Sequence, residues 1–197
     1  FFGTNGLDVQ LLRSHNISKA MELQRLATAD VLSSGMSLAG WKVGATNGIT
    51  QDRLGLSSPF IGPIFSNDIL PSGASFDLSH LHFRGVEVEW ALKIGAPVVA
   101  AAPLESVLEC IDSVVPVLEL IGTRVASPGD AAPALQLEED FTAAALVSDF
   151  GANAALVAGV SHSLPVGEWL ERCVEGDSGA ALLINGREVA HGRAAEV

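Results

Sequence analysis

Residues 86–94 read Val-Glu-Val-Glu-Trp-Ala-Leu-Lys-Ile. Val86, Val88, Trp90, Leu92 and Ile94 fall on one side of a period-two pattern, with Glu87, Glu89 and Lys93 on the other, so the segment is predicted to be a strand with one face turned inward. Such a strand needs a sheet around it and a layer to cover its apolar face. The chain has material for that core: of its 197 residues 48% are hydrophobic and 17% charged, which excludes a disordered polymer and fits one core of ordinary size.

The remaining elements follow from local pattern. Ile17, Met21, Leu23, Leu26, Ala27, Val31 and Leu32 recur at near-helical spacing up to Met36, with Asn16 as cap and Gly35 as stop, and predict an amphipathic helix. The text from Gly40 to Gly73 is rich in Gly and Pro and predicts short strands and tight loops. A helix is expected over Pro103–Val115, with Val107, Leu108, Ile111 and Val114 inward. Pro116 then opens a second strand, Val117–Ile121. A loop at Ser127–Asp130, a helix around Glu138–Leu146 and a strand at Ala155–Gly159 follow, and Asn185-Gly186 marks a hairpin within Gly179–Ala190. The class is α+β.

Eleven Lys and Arg against 23 Asp and Glu leave a formal charge of −12, and the cations are scattered singly, which argues against a nucleic-acid partner. An anionic ligand would need a local cation or a metal. Cys110 and Cys173 share no short spacing, so neither zinc nor a disulfide is indicated and a cytoplasmic setting is expected. No uninterrupted apolar run predicts a membrane span. The chain starts at Phe1 and stops at Val197 without a closing turn, and is expected to be a fragment.

Four residues carry the candidate chemistry. Glu87 and Glu89, two apart on a strand, send both carboxylates to one face, where they can converge on a cation or form a solvated face paired with Lys93. Glu119 stands inside Pro-Val-Leu-Glu-Leu-Ile, where a carboxylate is costly unless paired, protonated or on a metal. Its alternatives are a hydrogen bond at a strand edge or an ion pair with Arg124. Together the three form an all-oxygen set suited to Mg²⁺ or Mn²⁺. Lys42, in Gly-Trp-Lys-Val-Gly, could move a proton, hold an anion, or lay its stem over Trp41. Among the five histidines only His80 and His82 stand close together, and they read as a surface turn.

Several segments in order resemble the fumarylacetoacetate hydrolase superfamily, in its 2-keto-4-pentenoate hydratase and 4-oxalocrotonate decarboxylase branch. They are Gly40–Asn47, Gln51–Gly55, Pro59–Gly62, Phe83-Arg84 ahead of Glu87-Val88-Glu89, Val115–Leu120 with Arg124, and Asp149–Gly159. The resemblance implies a mixed β-sheet roll of that family's C-terminal-domain type: an N-terminal helical segment over 1–39, then a metal-binding catalytic roll over 40–197 that is incomplete at its C-terminus. It implies Glu87, Glu89 and Glu119 as ligands to Mg²⁺ or Mn²⁺, Lys42 beside the substrate as the catalytic residue, and Lys42 with Thr46 as substrate-binding residues. The implied substrate is a small 2-oxo acid and the implied assembly a homo-oligomer. The implied reaction is hydration of a 2-hydroxy-2,4-dienoate to a 4-hydroxy-2-oxo acid in aromatic catabolism. The alternatives are decarboxylation of a 4-oxalocrotonate-type 2-oxo acid, or an inactive metal-binding paralogue. In several hydratases of the branch an acidic residue follows the proline of the Pro-x-x-Gly loop; here that residue is Phe60.

Overall fold

The computed structural model describes residues 7–8, 16–77, 79, 81, 84–126, 142–162, 165–175 and 179–193. The elements are β1 (Leu7–Asp8), α1 (Ile17–Ser33), β2 (Leu38–Gly44), α2 (Gly48–Leu54), β3 (Phe60–Phe65), β4 (Ile69–Pro71), β5 (Arg84–Ile94), α3 (Leu104–Leu108), β6 (Ile111–Gly122), β7 (Val125–Ala126), α4 (Ala143–Ser148), β8 (Asn153–Ala158), α5 (Val166–Val174), β9 (Gly179–Ile184) and β10 (Arg187–Arg193). Four strands form a sheet in the order β4-β8-β6-β5, and β2–β3, β9–β10 and β1–β7 form pairs, the last parallel and the other two antiparallel. The class is α+β, as the sequence predicts.

The chain divides into two compact units, one of residues 1–87 and 119–157, the other of 88–118 and 158–197. In the first, α1 lies against β3 and α4. Asn16 caps it by accepting from the Lys19 N–H at 2.9 Å, and Gly35, at φ 94°, follows its last turn. The inward stripe is Ala20, Gln24 and Val31, all buried, with Ala27 partly buried beside them, whereas Met21, Leu26 and Leu32 are exposed. This stripe is rotated from the one the large apolar residues predict. Ala20 lets the helix approach Ala144 and Val147 closely, and the buried Gln24 amide donates to the carbonyls of Ile61 (3.0 Å) and Val147 (2.7 Å). A small residue and an amide whose NH2 group donates twice thus take the core positions. A second cluster joins Val31, Phe65 and Phe150, the two rings meeting edge to face at 5.5 Å.

In the second unit, the strand part that follows Glu87 carries Trp90, which meets Trp169 of α5 edge to face at 5.8 Å. Leu92 and Ile94 on the same face stay exposed, so the described residues cover this face less than its pattern predicts. The expected helix over Pro103–Val115 is much shorter. It ends at Leu108, Cys110 lies in a turn, and Ile111 already begins β6. The β-branched residues Ile111, Val114 and Val115 match helical spacing by coincidence, but Val114 exchanges both backbone hydrogen bonds with His162 (3.1 and 2.9 Å), which fixes an extended strand. Pro116 therefore lies inside β6 rather than at its start, its carbonyl accepting from the Gly159 N–H at 2.9 Å. Asn185 (φ 52°) and Gly186 (φ 76°) make the expected hairpin turn of β9–β10, with both central residues left-handed.

Between β2 and β3 the structure adds a helix that the Gly- and Pro-rich text hides. Asn47 caps α2 by accepting from the Thr50 N–H at 2.9 Å, and Gly55 closes it at φ 65°. The segment Gln51–Gly55 is this helix's second half and its stop. Helix α4 starts at Thr142, whose hydroxyl accepts from the Ala145 N–H. Of the helix expected around Glu138–Leu146, residues 138–141 lie outside the described residues, as do the loop Ser127–Asp130 and His80 and His82. Among the described residues no helix is long and apolar enough to cross a membrane.

Candidate functional site

The site is built from β2, β5, β6 and the turn before β8. Strand β6 is an inner strand, hydrogen-bonded to β8 along one edge and to β5 along the other, and Glu119 within it is fully buried. Alternation along β5 sends Glu87 and Glu89 to one face, as the sequence predicts. One carboxylate oxygen each from Glu87, Glu89 and Glu119 lie within 4.8 Å of one another.

Lys42 reaches Glu119 from β2. Its ammonium lies 2.5 Å from Glu119 Oε1 and 3.2 Å from the carbonyl oxygen of Gly151, and its side chain is 8% exposed. Neighbours on a strand face opposite ways, so Lys42 points inward while Trp41 stays half exposed. That geometry removes the reading in which the lysine stem covers Trp41. The Asn153 amide donates to the same Glu119 Oε1 at 2.9 Å.

Glu119 Oε2 is buried and has no hydrogen-bond partner among the described residues. A buried carboxylate oxygen left without a donor is costly. The Glu119 carboxylate stands beside two further carboxylates, an arrangement that a hard cation with oxygen ligands satisfies. Three carboxylates and one ammonium sum to −2, the charge a divalent cation neutralises. The residues present fit a Mg²⁺-class ion. Glu87 adds a second sign of crowding. Loss of water around its carboxyl raises its pKa above the usual carboxylate range; the Lys42 charge opposes the rise and the Glu119 charge reinforces it.

Other sequence expectations turn out differently. Lys93 pairs with Asp112 at 3.1 Å on the surface, not with Glu87 or Glu89. Arg124 pairs with Asp149, not with Glu119: its Nε donates to Asp149 Oδ1 at 2.7 Å. Thr46 is exposed in the turn between β2 and α2, and among the described residues no hydrogen bond ties it to Lys42 or to the three carboxylates. Asn153 and Asp149 were assigned no role from sequence. Asp149 carried a readable signal, since a lone acid in Leu-Val-Ser-Asp-Phe raises the same question as Glu119. Asn153 carried none, because an asparagine among alanines reads as a turn.

The approach of these elements depends on Gly62, which pairs with Lys42 across the β2–β3 ladder. A Cβ on Gly62 would lie 2.3 Å from the Phe150 carbonyl oxygen and 3.2 Å from Lys42 Cγ. Gly62→Ala is therefore expected to push the Phe150 turn off Lys42 and to destabilise the chain by about 1–3 kcal/mol, the usual cost of overpacking. Urea denaturation checks this; an unchanged midpoint would show that the backbone can move aside freely.

The fold and the carboxylate cluster together describe an α+β protein in which three glutamates stand together with one buried lysine beside them, a set of residues that fits a divalent cation. A scan against known protein families finds no match. Two curated relatives are similar in sequence. A 2-keto-4-pentenoate hydratase from Paraburkholderia xenovorans is 32% identical over 112 residues, 56% of this chain and 42% of that protein. The TodF product hydratase of Pseudomonas putida is 26% identical over 116 residues, 58% and 43% respectively. The match thus spans less than half the length of these relatives. In fold, the chain resembles the 4-oxalocrotonate decarboxylase of Pseudomonas putida, solved with magnesium and adipate, at a TM-score of 0.77 and 21% identity over 98% of this chain and 69% of that one. The same enzyme solved with calcium and acetate gives 0.76. The sequence matches support the resemblance to the hydratase branch, and the structural match shows that the chain shares its fold with the decarboxylase.

Proposed function

We propose that this chain carries the metal centre of a divalent-cation-dependent lyase acting on a small 2-oxo acid, with Glu87, Glu89 and Glu119 as the cation's ligands. The observation that carries this reading is the division of labour on Glu119. Oε1 is taken by Lys42 and Asn153, the buried Oε2 is left without a donor among the described residues, and two more carboxylates stand beside this one. When bound, Mg²⁺ or Mn²⁺ would supply Lewis-acid stabilisation of negative charge on the substrate's 2-oxo oxygen. The chain's own contribution is the Lys42 ammonium, fixed by Glu119 and the Gly151 carbonyl. It offsets the charge of an anionic substrate, and its Nζ is the atom placed to hold or move a proton. Thr46, exposed at the end of β2, is assigned to the substrate's outer part.

Sequence similarity favours hydration of a 2-hydroxy-2,4-dienoate to a 4-hydroxy-2-oxo acid as the reaction. A second reading, decarboxylation of a 2-oxo-3-enedioate, is favoured by Phe60. Its ring packs where a Cβ on Gly44 or Gly151 would touch it, so the residue after Pro59 offers no proton to an incoming water. An inactive metal-binding paralogue is the third outcome. Incubation with both substrate types, followed by ultraviolet absorbance with and without Mg²⁺, separates the three.

The metal assignment has its own test. Calorimetric Mn²⁺ titration of Glu87→Gln, Glu89→Gln and Glu119→Gln is expected to show affinity losses of roughly ten-fold or more, since even partners outside the first ligand layer act on that scale. Affinities equal to the parent's in all three would refute the ligand set.

A further inference from the structure

Three consecutive residues in the first unit, Phe150, Gly151 and Ala152, have positive φ (56°, 71° and 58°). Two of them carry a Cβ, and non-glycine residues stay in this sparsely populated region only where their surroundings hold them there. The turn has two products. It presents the Gly151 carbonyl to Lys42 and delivers the Asn153 amide to Glu119 Oε1.

What holds the turn is Arg124. Its Nε donates to Asp149 Oδ1 (2.7 Å), and its Nη2 donates to the carbonyl oxygens of Asp149 (3.2 Å) and Asn153 (3.0 Å), one on each side of the left-handed triplet. The Asp149 carboxylate, fully buried, accepts in addition from the Thr123 hydroxyl (2.7 Å) and the Arg124 backbone N–H (2.9 Å). The guanidinium also lies 5.5 Å from the centre of the Phe150 ring. One planar side chain therefore grips the start and the end of the turn together, a task that suits a fork of donors and does not suit a single ammonium.

We infer that Arg124 is a positioning residue for the Lys42–Glu119 pair, acting through the left-handed turn Phe150–Ala152. The inference rests on the reading of Glu119 as a cation ligand, but one arm of its test does not. With the clamp loosened, Asn153 no longer fixes Glu119 Oε1, so the orientation of the Glu119 carboxylate beside Glu87 and Glu89 is no longer set. Lys42 at the same time loses the Gly151 carbonyl.

The experiment uses Arg124→Lys, which keeps the charge but not the fork, and Asn153→Ser, which leaves the clamp and removes the amide. Each is measured by thermal melting, by Mn²⁺ calorimetry, and by the rate at which an amine-acylating reagent modifies Lys42, read by peptide mass spectrometry. Lys19 and Lys93, both exposed, are internal controls. The expected result for Arg124→Lys is Mn²⁺ affinity weakened roughly ten-fold and Lys42 acylated several-fold faster, with Lys19 and Lys93 unchanged. In the Asn153→Ser background the same change should weaken Mn²⁺ binding by clearly less, because the two act in series. Parent-like Mn²⁺ affinity together with parent-like Lys42 acylation would overturn the inference. So would a rise in acylation that merely follows the fall in melting temperature. If the parent shows no Glu119-dependent Mn²⁺ binding, the metal reading fails and the Lys42 rate alone decides the role of Arg124.

Discussion

Lys42→Met is expected to lower the stability of the metal-free chain by about 3–5 kcal/mol, the usual cost of removing one partner from a buried ion pair. The lysine side chain is 8% exposed and Glu119 not at all, so methionine fills the volume but leaves a buried carboxylate whose remaining polar partner is the Asn153 amide. Adding Mg²⁺ or Mn²⁺ should recover part of the loss, because a cation on Glu119 supplies the missing positive charge and binding to the folded chain alone stabilises it. Melting of parent and variant with and without the cation checks both halves. A gap that stays the same in saturating Mn²⁺ would mean that the lysine and the cation do not share Glu119.

Asp149→Ala is expected to be comparably severe, again about 3–5 kcal/mol, because it strips three donors of their acceptor at once: the Thr123 hydroxyl, the Arg124 backbone N–H and the guanidinium. Asp149→Asn, which keeps the shape and one good acceptor, should lose less. The contrast is Asp112→Ala, which removes an ion pair to Lys93 at the surface, where both side chains are half exposed or more and solvent screens the interaction. Chemical denaturation of the three variants ranks them. An Asp149→Ala loss no greater than that of Asp112→Ala would show that the buried network adds nothing to the fold.

The candidate site was largely legible in the sequence, for identifiable reasons. Glu87 and Glu89 announced themselves because strand alternation fixes the face of every second side chain without any tertiary information. Glu119 did so because a charge inside a continuous apolar run is rare and has few affordable explanations. Lys42 stood out through its flanking glycines, and the structure shows what such small neighbours permit: Gly62 opposite it leaves room for the Phe150 carbonyl. The hairpin at Asn185-Gly186 was equally plain, since only a few residues accept its backbone angles.

Tertiary structure decided the partners. Sequence offered Arg124 to Glu119 and Lys93 to the Glu pair, each an opposite charge a few positions away along the chain. The fold instead brought Lys42 across 77 positions to Glu119, and Asp149 across 25 to Arg124. It also decided which face of α1 is buried, since Gln24 could enter the core only where two backbone carbonyls from distant elements stood ready to accept its amide. It converted the expected end of a helix at Ile111–Val115 into strand, because β pairing is settled by the partner that His162 provides and not by the segment itself. Periodicity and burial cost act on each residue where it stands, so the amino-acid order by itself determined the α+β class, the strand that carries two carboxylates, and the oddity of a glutamate in apolar text. Which atoms meet Glu119, and the left-handed turn that aligns them, depend on contacts between segments far apart in the chain, and only the folded backbone could choose among them.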